Sequence, residues 1–262
     1  MGGFELKWFV RVAVVLMMVQ KILGWGKEGH YVICKIAEEY LTEDALAAVK
    51  ALLPDQAEGD LAAVCSWPDE VRRHYHYRWS SPLHYVDTPD FLCNYKYCRD
   101  CHDGHGLKDR SAHLSWNLGP LHVGFTGDLG GNSIIVRWYR RKTNLHHVWD
   151  TMIIESALKT YYKSDIMLMT QALLKNITDE WSDDVPSWES CKEMVCPDPY
   201  ASESIRLACK FAYRNATPGS TLTDDYFLSR LPVVEKRLAQ GGVRLAEVLN
   251  RIFTKKPSVA AQ

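Results

Sequence analysis

Two blocks of helical apolar periodicity, held apart by a long run of turn-forming residues, leave this chain few architectures to adopt. In the first block Val32, Ile36, Tyr40 and Leu41, then Ala45, Val49 and Leu53, recur at spacings of three and four, which puts each group on one helix face. Thr42 lies between them and can cap the second segment, so a helical hairpin over residues 31–53 is expected. In the second block, residues 145–162, 166–181, 201–214 and 223–252 read as helices, and Pro232 should kink or delimit the last. Residues 80–132, rich in Pro, Gly, Asp, Asn and Cys, read mainly as loop, and Ser133–Tyr139 as a short strand or hairpin. Ser66-Trp67-Pro68-Asp69 has the form of a helix start, with the Ser66 hydroxyl as cap and Asp69 in the first turn. The expected fold is mostly α, a single helical domain with long polar loops. The chain's 262 residues fit one core, because single cores stop growing near roughly 250–300 residues.

Residues 1–24 stand apart. Lys7 and Arg11 precede an apolar run from Val12 to Val19, too short to span a bilayer, and Gly24 offers a small residue for cleavage, which is the pattern of a secretory signal. All eight cysteines lie beyond it, as suits an oxidising compartment. Asn176-Ile-Thr178 and Asn215-Ala-Thr217 are glycosylation triplets. A secreted chain, extracellular or vacuolar, without stable membrane association and monomeric, is therefore expected over residues 25–262, with a disordered tail at 254–262. Removing Lys7, Arg11, Lys21 and Glu5 with the leader takes the formal charge from −1 to −3. That excludes a broad basic surface as the means of holding nucleic acid. Local cations remain: Arg72, Arg73 and Arg78, and the group Arg137, Arg140, Arg141 and Lys142.

The ten histidines are unevenly placed, several of them beside Asp. His146 and Asp150 are four apart on an expected helix and project from one face. His122 precedes a Gly-rich turn, and His84 leads into Tyr85-Val86-Asp87. Histidine and carboxylate at such spacing are the usual ligands of a divalent metal.

Five stretches carry a specific resemblance: Trp25-Gly-Lys-Glu-Gly-His30, Ser66-Trp-Pro-Asp69, Pro82-Leu-His84-Tyr-Val-Asp87, Pro120-Leu-His122-Val-Gly and Asn144-Leu-His146-His-Val-Trp-Asp150. Together they resemble the zinc-dependent type I nucleases, the mung bean nuclease type, in their plant bifunctional branch, a family related to zinc phospholipase C. The resemblance implies three zinc ions in the cleft of a helical domain. The freed amino group and carbonyl of Trp25, with His30, would serve one zinc, Asp69 and His84 a second, and His122, His146 and Asp150 the third, with His147 packing behind. It also implies phosphodiester hydrolysis of RNA and single-stranded DNA to 5'-phosphorylated products, by water whose pKa zinc has lowered. Asp87, with Asp69, would be catalytic, Asp87 orienting water or substrate. Arg72, Arg73, Tyr85, Asn94 and Tyr95 are the candidate substrate contacts.

The chain also departs from that family. Ahead of Pro-Leu-His the family carries His-x-x-x-Asp-x-His-Gln, whereas here Ala112 and Trp116 stand ten and six residues before His122, and His113 is out of register. One of the missing ligands is the Asp that bridges the paired zincs. Asp109 to Gly119 is a short connection where the family has several dozen residues, as an internal deletion near 109–120 would leave, from a skipped exon or a faulty gene model. One or two zinc ions would then be retained and hydrolysis weakened. The family's disulfides would pair Cys34 with Cys65, Cys93 with Cys209 and Cys191 with Cys196, leaving Cys98 and Cys101 to bridge each other, to stay as thiols, or to join His102 and His105 in a zinc knuckle. Two other functions stay open: a non-catalytic secreted glycoprotein that binds zinc or nucleic acid, and, third, a phospholipase C.

Overall fold

The computed structural model describes residues 25–100, 119–191 and 196–254. The leader, Ala112, His113 and Trp116, Cys101 with its neighbouring histidines, and the tail from residue 255 lie outside the described residues. The expected hairpin is present as α1 (Lys27–Tyr40) and α2 (Glu43–Leu52), and the Thr42 side chain accepts a hydrogen bond from the Ala45 N–H. A short helix, α3 (Trp67–Val71), follows with Asp69 in its first turn. Here the Ser66 hydroxyl does not cap: Ser66 already has helical backbone angles, φ −84° and ψ −5°, rather than the extended ones of a capping residue, and its hydroxyl donates to the Glu70 carboxylate one turn along. The stretch read as loop contains a 3-10 run (Tyr75–His84), α4 (Tyr97–Asp100) and a 3-10 turn (Pro120–Val123).

A small three-stranded sheet comes next. β1 (Ile135–Trp138) pairs antiparallel with β2 (Arg141–Asn144), Ile135 opposite Asn144, and β3 (Thr221–Leu222) lies parallel to β1 on its other side. The expected helix from 145 is built as α5 (Leu145–His147), a π turn (Val148–Met152) and α6 (Ile153–Tyr161). Then follow α7 (Ile166–Thr178), α8 (Val185–Glu189), α9 (Pro197–Leu207) with a π turn (Ala208–Ala212), and α10 (Asp224–Phe253). Helix α10 runs unbroken through Pro232. The carbonyl that loses its partner is that of Leu228, an exposed residue, so water can replace the missing N–H at little cost.

Helices α1 and α10 form the spine. Gly242 of α10 lies so close to α1 that an added Cβ would collide with the Ile36 side chain. Ile36, Val32, Leu238 and Val243 are fully buried along this crossing. Arg237 and Arg244 of α10 are buried as well, which is affordable only because both meet Glu203 of α9; Arg237 also donates to the Ser204 hydroxyl and Gln240. Three disulfides are formed, Cys34–Cys65, Cys93–Cys209 and Cys191–Cys196, the first with one end in the core. Cys98 is exposed and unpaired among the described residues. No helix among them is long and apolar enough to cross a membrane.

Candidate metal centre

Backbone pairing between distant segments assembles the site. After His84 the chain turns inward and runs beside the segment that begins at His122. The Val86 N–H donates to the His122 carbonyl at 2.9 Å, the Thr88 N–H to the Gly124 carbonyl at 2.8 Å, and the Thr126 N–H to the Thr88 carbonyl at 2.9 Å. Arg72, His84, Tyr85, Asp87, His122 and His146 consequently line one chamber.

His146 is oriented by the Gly-rich turn. Gly130 has φ +62°, and a Cβ there would stand 2.5 Å from the Leu121 carbonyl oxygen, so only glycine fits. Its carbonyl accepts from His146 Nδ1–H at 2.6 Å, which leaves Nε2 as the lone-pair nitrogen, 2.9 Å from Asp150 Oδ2. A lone pair and a carboxylate at that distance repel unless a proton or a cation lies between them. The π turn that begins at Val148 carries Asp150. The Asp150 backbone carbonyl accepts from the Gly26 N–H at 2.7 Å, which pins buried Trp25 and Gly26 beside the same cluster.

His122 completes the group. Its ring lies 5.0 Å from that of His146 and its Nδ1 is 3.9 Å from Asp150 Oδ1. Neither nitrogen of His122, nor Asp150 Oδ1, makes a hydrogen bond among the described residues, although all three atoms are buried. Each such orphan costs about 1–3 kcal/mol. Burial, with His146 adding to it, holds the His122 imidazole well below its ordinary pKa, hence neutral. Burial pushes the Asp150 carboxyl up to about 6 despite the nearby His146. Donor atoms of His122, His146 and Asp150 all lie within 4.8 Å of one another. Two buried imidazoles and a carboxylate, with both His122 nitrogens and Asp150 Oδ1 lacking a hydrogen bond among the described residues, fit a metal ion with one position left for water or substrate.

The second expected group is arranged differently. Asp69 is buried, 2.7 Å from His30 Nε2, 3.6 Å from His84 Nε2 and 3.5 Å from Arg72 Nη2. His84 Nδ1–H donates to the Ser80 carbonyl at 2.9 Å. Burial, with Arg72 next, lowers the His84 pKa. Burial also lowers that of Arg72, against the pull of Asp69. A guanidinium therefore already compensates the Asp69 charge, and His30, Asp69 and His84 do not form a second three-donor cluster among the described residues.

The remaining candidates scatter. Arg73 lines a separate open basin with Trp25, His30, Asp69, Arg141 and His147. Asn94 is exposed and accepts from Arg99, while Tyr95 is buried and donates to Asp198; neither borders the chamber. Asn215 is exposed at φ 63°, and Asn176 is half-buried on the last turn of α7. Sequence reading missed Asn132, which lines the chamber, and Asp128, which accepts from the Gly131 N–H at 2.6 Å and the Tyr213 hydroxyl at 3.1 Å to brace the turn. The Asp-Leu-Gly-Gly-Asn run at 128–132 was the available signal.

The family model described as S1/P1 nuclease matches residues 25–115 and 119–254. The chain belongs to the S1/P1 nuclease family. Endonuclease 4 of Arabidopsis thaliana is 60% identical, with 97% of each chain covered, and Endonuclease 5 of the same plant is 54% identical over 97% of this chain and 98% of its own. More distant members include Nuclease P1 of Penicillium citrinum, 26% identical over 87% of this chain and 97% of its own. By S1/P1 membership the chain is a nuclease, and its mostly α architecture is that of the family.

Proposed function

We propose that this chain is a secreted zinc-dependent endonuclease acting on RNA and single-stranded DNA, whose hydrolysis to 5'-phosphorylated products is impaired by an internal gap near residues 109–120. The observation that carries the reading is the buried His122, His146 and Asp150 cluster with its unsatisfied donor atoms. Zinc bound there would supply Lewis acidity and lower the pKa of water at the open position. The residues do the rest. Gly130 holds the His146 ring so that Nε2 faces the site. Arg72 presents a buried guanidinium to a phosphodiester entering the chamber, and Asp87 offers a carboxylate to water or substrate.

Several facts favour the impaired part. Alignment with Endonuclease 4 extends over 291 positions, more than the 262 residues this chain possesses, and the family match is interrupted between 115 and 119. Ala112 and Trp116 cannot ligate as His and Asp would. Export rests on the N-terminal run and on the three disulfides. The Arg72–Asp69 pairing favours a second reading, a non-catalytic protein that binds zinc and nucleic acid.

Zinc counting and cleavage of 5'-labelled RNA and single-stranded DNA, with and without EDTA, test the proposal. One firmly held zinc and slow, EDTA-sensitive cleavage leaving 5'-phosphates are expected. Three zincs with cleavage as fast as that of Endonuclease 4 would refute the impairment, and bound zinc without any cleavage would favour the second reading. Hydrolysis of phosphatidylcholine in place of nucleic acid would favour a phospholipase C.

A further inference from the structure

The described residues contain two π turns, and such insertions occur frequently at functional sites. One carries Asp150. The other, Ala208–Ala212 at the end of α9, delivers Tyr213, whose N–H donates back to the Ala208 carbonyl at 2.9 Å. The Tyr213 ring stacks on that of Phe125, with 4.5 Å between centroids and 9° between planes. Stacking asks nothing of the hydroxyl, yet the hydroxyl is fully engaged. It accepts from the Phe125 N–H at 3.0 Å and donates to Asp128 Oδ1 at 3.1 Å. That same Asp128 oxygen accepts from the Gly131 N–H at 2.6 Å. Gly124 makes room for the contact, since a Cβ there would stand 2.7 Å from the Tyr213 oxygen and would collide with Gly130 Cα.

We propose that Tyr213 is a positioning residue for the metal centre: through Asp128 its hydroxyl fixes the Gly130 carbonyl, and that carbonyl holds the His146 ring with Nε2 facing the ion. The role rests on the zinc reading of the His122, His146 and Asp150 cluster. The link is one peptide plane. The Gly130 carbonyl and the Gly131 N–H belong to the same planar unit and point in opposite directions, so clamping the N–H on Asp128 aims the carbonyl at His146 Nδ1, 2.6 Å away. Glycine at φ +62° and +83° on either side of that plane leaves it free to rotate unless hydrogen bonds hold it. The bond at Nδ1 in turn decides which imidazole nitrogen keeps its lone pair. Tyr213 touches neither the ligands nor the chamber; it secures the oxygen that secures the plane. Its hydroxyl also grips the Phe125 N–H, and the Phe125 carbonyl accepts from the Gly130 N–H at 3.1 Å, which steadies the other end of Gly130.

The test reads the ring directly. In the metal-free full chain at about pH 8, where an ordinary imidazole is neutral, long-range proton–nitrogen NMR should show His146 in the Nδ1–H form alone, and chelator competition then gives the affinity for zinc. Tyr213→Phe keeps the stack on Phe125 and loses both hydroxyl bonds. It should admit the Nε2–H form and weaken zinc binding about tenfold, the lower end of what losing a ligand's outer partner costs. Asp128→Ala should do the same, while Asp128→Asn, which retains an acceptor oxygen, should match the unaltered chain in both readouts. Thr42→Ala, which removes the α2 cap and none of these bonds, should lower the melting temperature and move neither readout. An unchanged tautomer in Tyr213→Phe overturns the role whatever happens to zinc. So does a Thr42→Ala chain whose His146 ring shifts as in Tyr213→Phe, because general loosening then suffices. Asp128→Asn behaving like Asp128→Ala overturns it as well, since charge and not the hydrogen bond then governs the ring. An unaltered chain that binds no zinc overturns the zinc reading and the proposal with it, whereas failure of the tautomer arm in a zinc-binding chain overturns only the role of Tyr213.

Discussion

Lowering the pH from 7 to 5 should weaken zinc binding at the His122, His146 and Asp150 cluster by about tenfold, and one carboxyl should account for it. Burial pushes Asp150 up to about 6, and only an ionised carboxylate can ligate. Roughly nine-tenths of this group is ionised at pH 7 and roughly one-tenth at pH 5. His122, held well below the ordinary imidazole range by burial, adds no competing proton over that interval. An exposed aspartate, near 3.9, would give almost no change. Competition against a chromophoric chelator, corrected for the chelator's own protonation, measures the affinity at each pH. A flat profile down to pH 5 would refute the reasoning, and so would a loss of a hundredfold or more, which would require imidazole protonation instead. The same group acts on the metal-free fold. Its folded pKa is raised, so the stability it contributes is fully present below its unfolded value of about 4 and is lost as pH rises through about 6, by about 3 kcal/mol. His122 works the other way over the same interval, because its folded pKa is lowered and the stability it contributes is lost as pH falls below about 6.5, so the Asp150 contribution is read by comparing the melting of metal-free protein with that of a metal-free Asp150→Asn variant at pH 5 and pH 7.

Two further outcomes follow from the supporting structure. Glu203→Ala strands buried Arg237 without its carboxylate and should cost about 3–5 kcal/mol in urea unfolding; although burial opposes it, Arg237 and Arg244 hold Glu203 down to about 2, so its contribution is present above the ordinary carboxyl range near 4.5 and fades as pH falls toward 2. Gly130→Ala forces a side chain into positive φ against the Leu121 carbonyl, and should both destabilise the fold by about 1–3 kcal/mol and weaken zinc binding through displacement of His146, as chelator competition would detect.

Local signals explain most of what could be read in advance. The α1–α2 hairpin needs only apolar spacing and the Thr42 cap, and the His146–Asp150 pair needs only four-residue spacing at a helix start. What escaped was non-local or two-sided. Nothing periodic in Val86–Thr88 announces its pairing with the segment after His122, because the bonds join backbones that carry no sequence label. Arg237 and Arg244 are covered by Glu203 of α9, a partner distant in sequence that no local spacing announces. Tyr95 is a candidate substrate contact by sequence, but its hydroxyl finds Asp198 and the ring goes inside. Pro232 shows the converse: a rule about donors yields where water can reach the abandoned acceptor.

The backbone bonds between Val86–Thr88 and His122–Thr126 work as a clasp on the chain. Whatever length lies between Thr88 and His122, its two ends are fastened to each other, and the closure entropy of a loop changes only slowly with its length. Shortening such a loop costs the fold little at the clasp itself, and the histidines on either side keep their separation. A stretch of chain can thus vanish from the middle while His84 and His122, beside its fastened ends, still line one chamber.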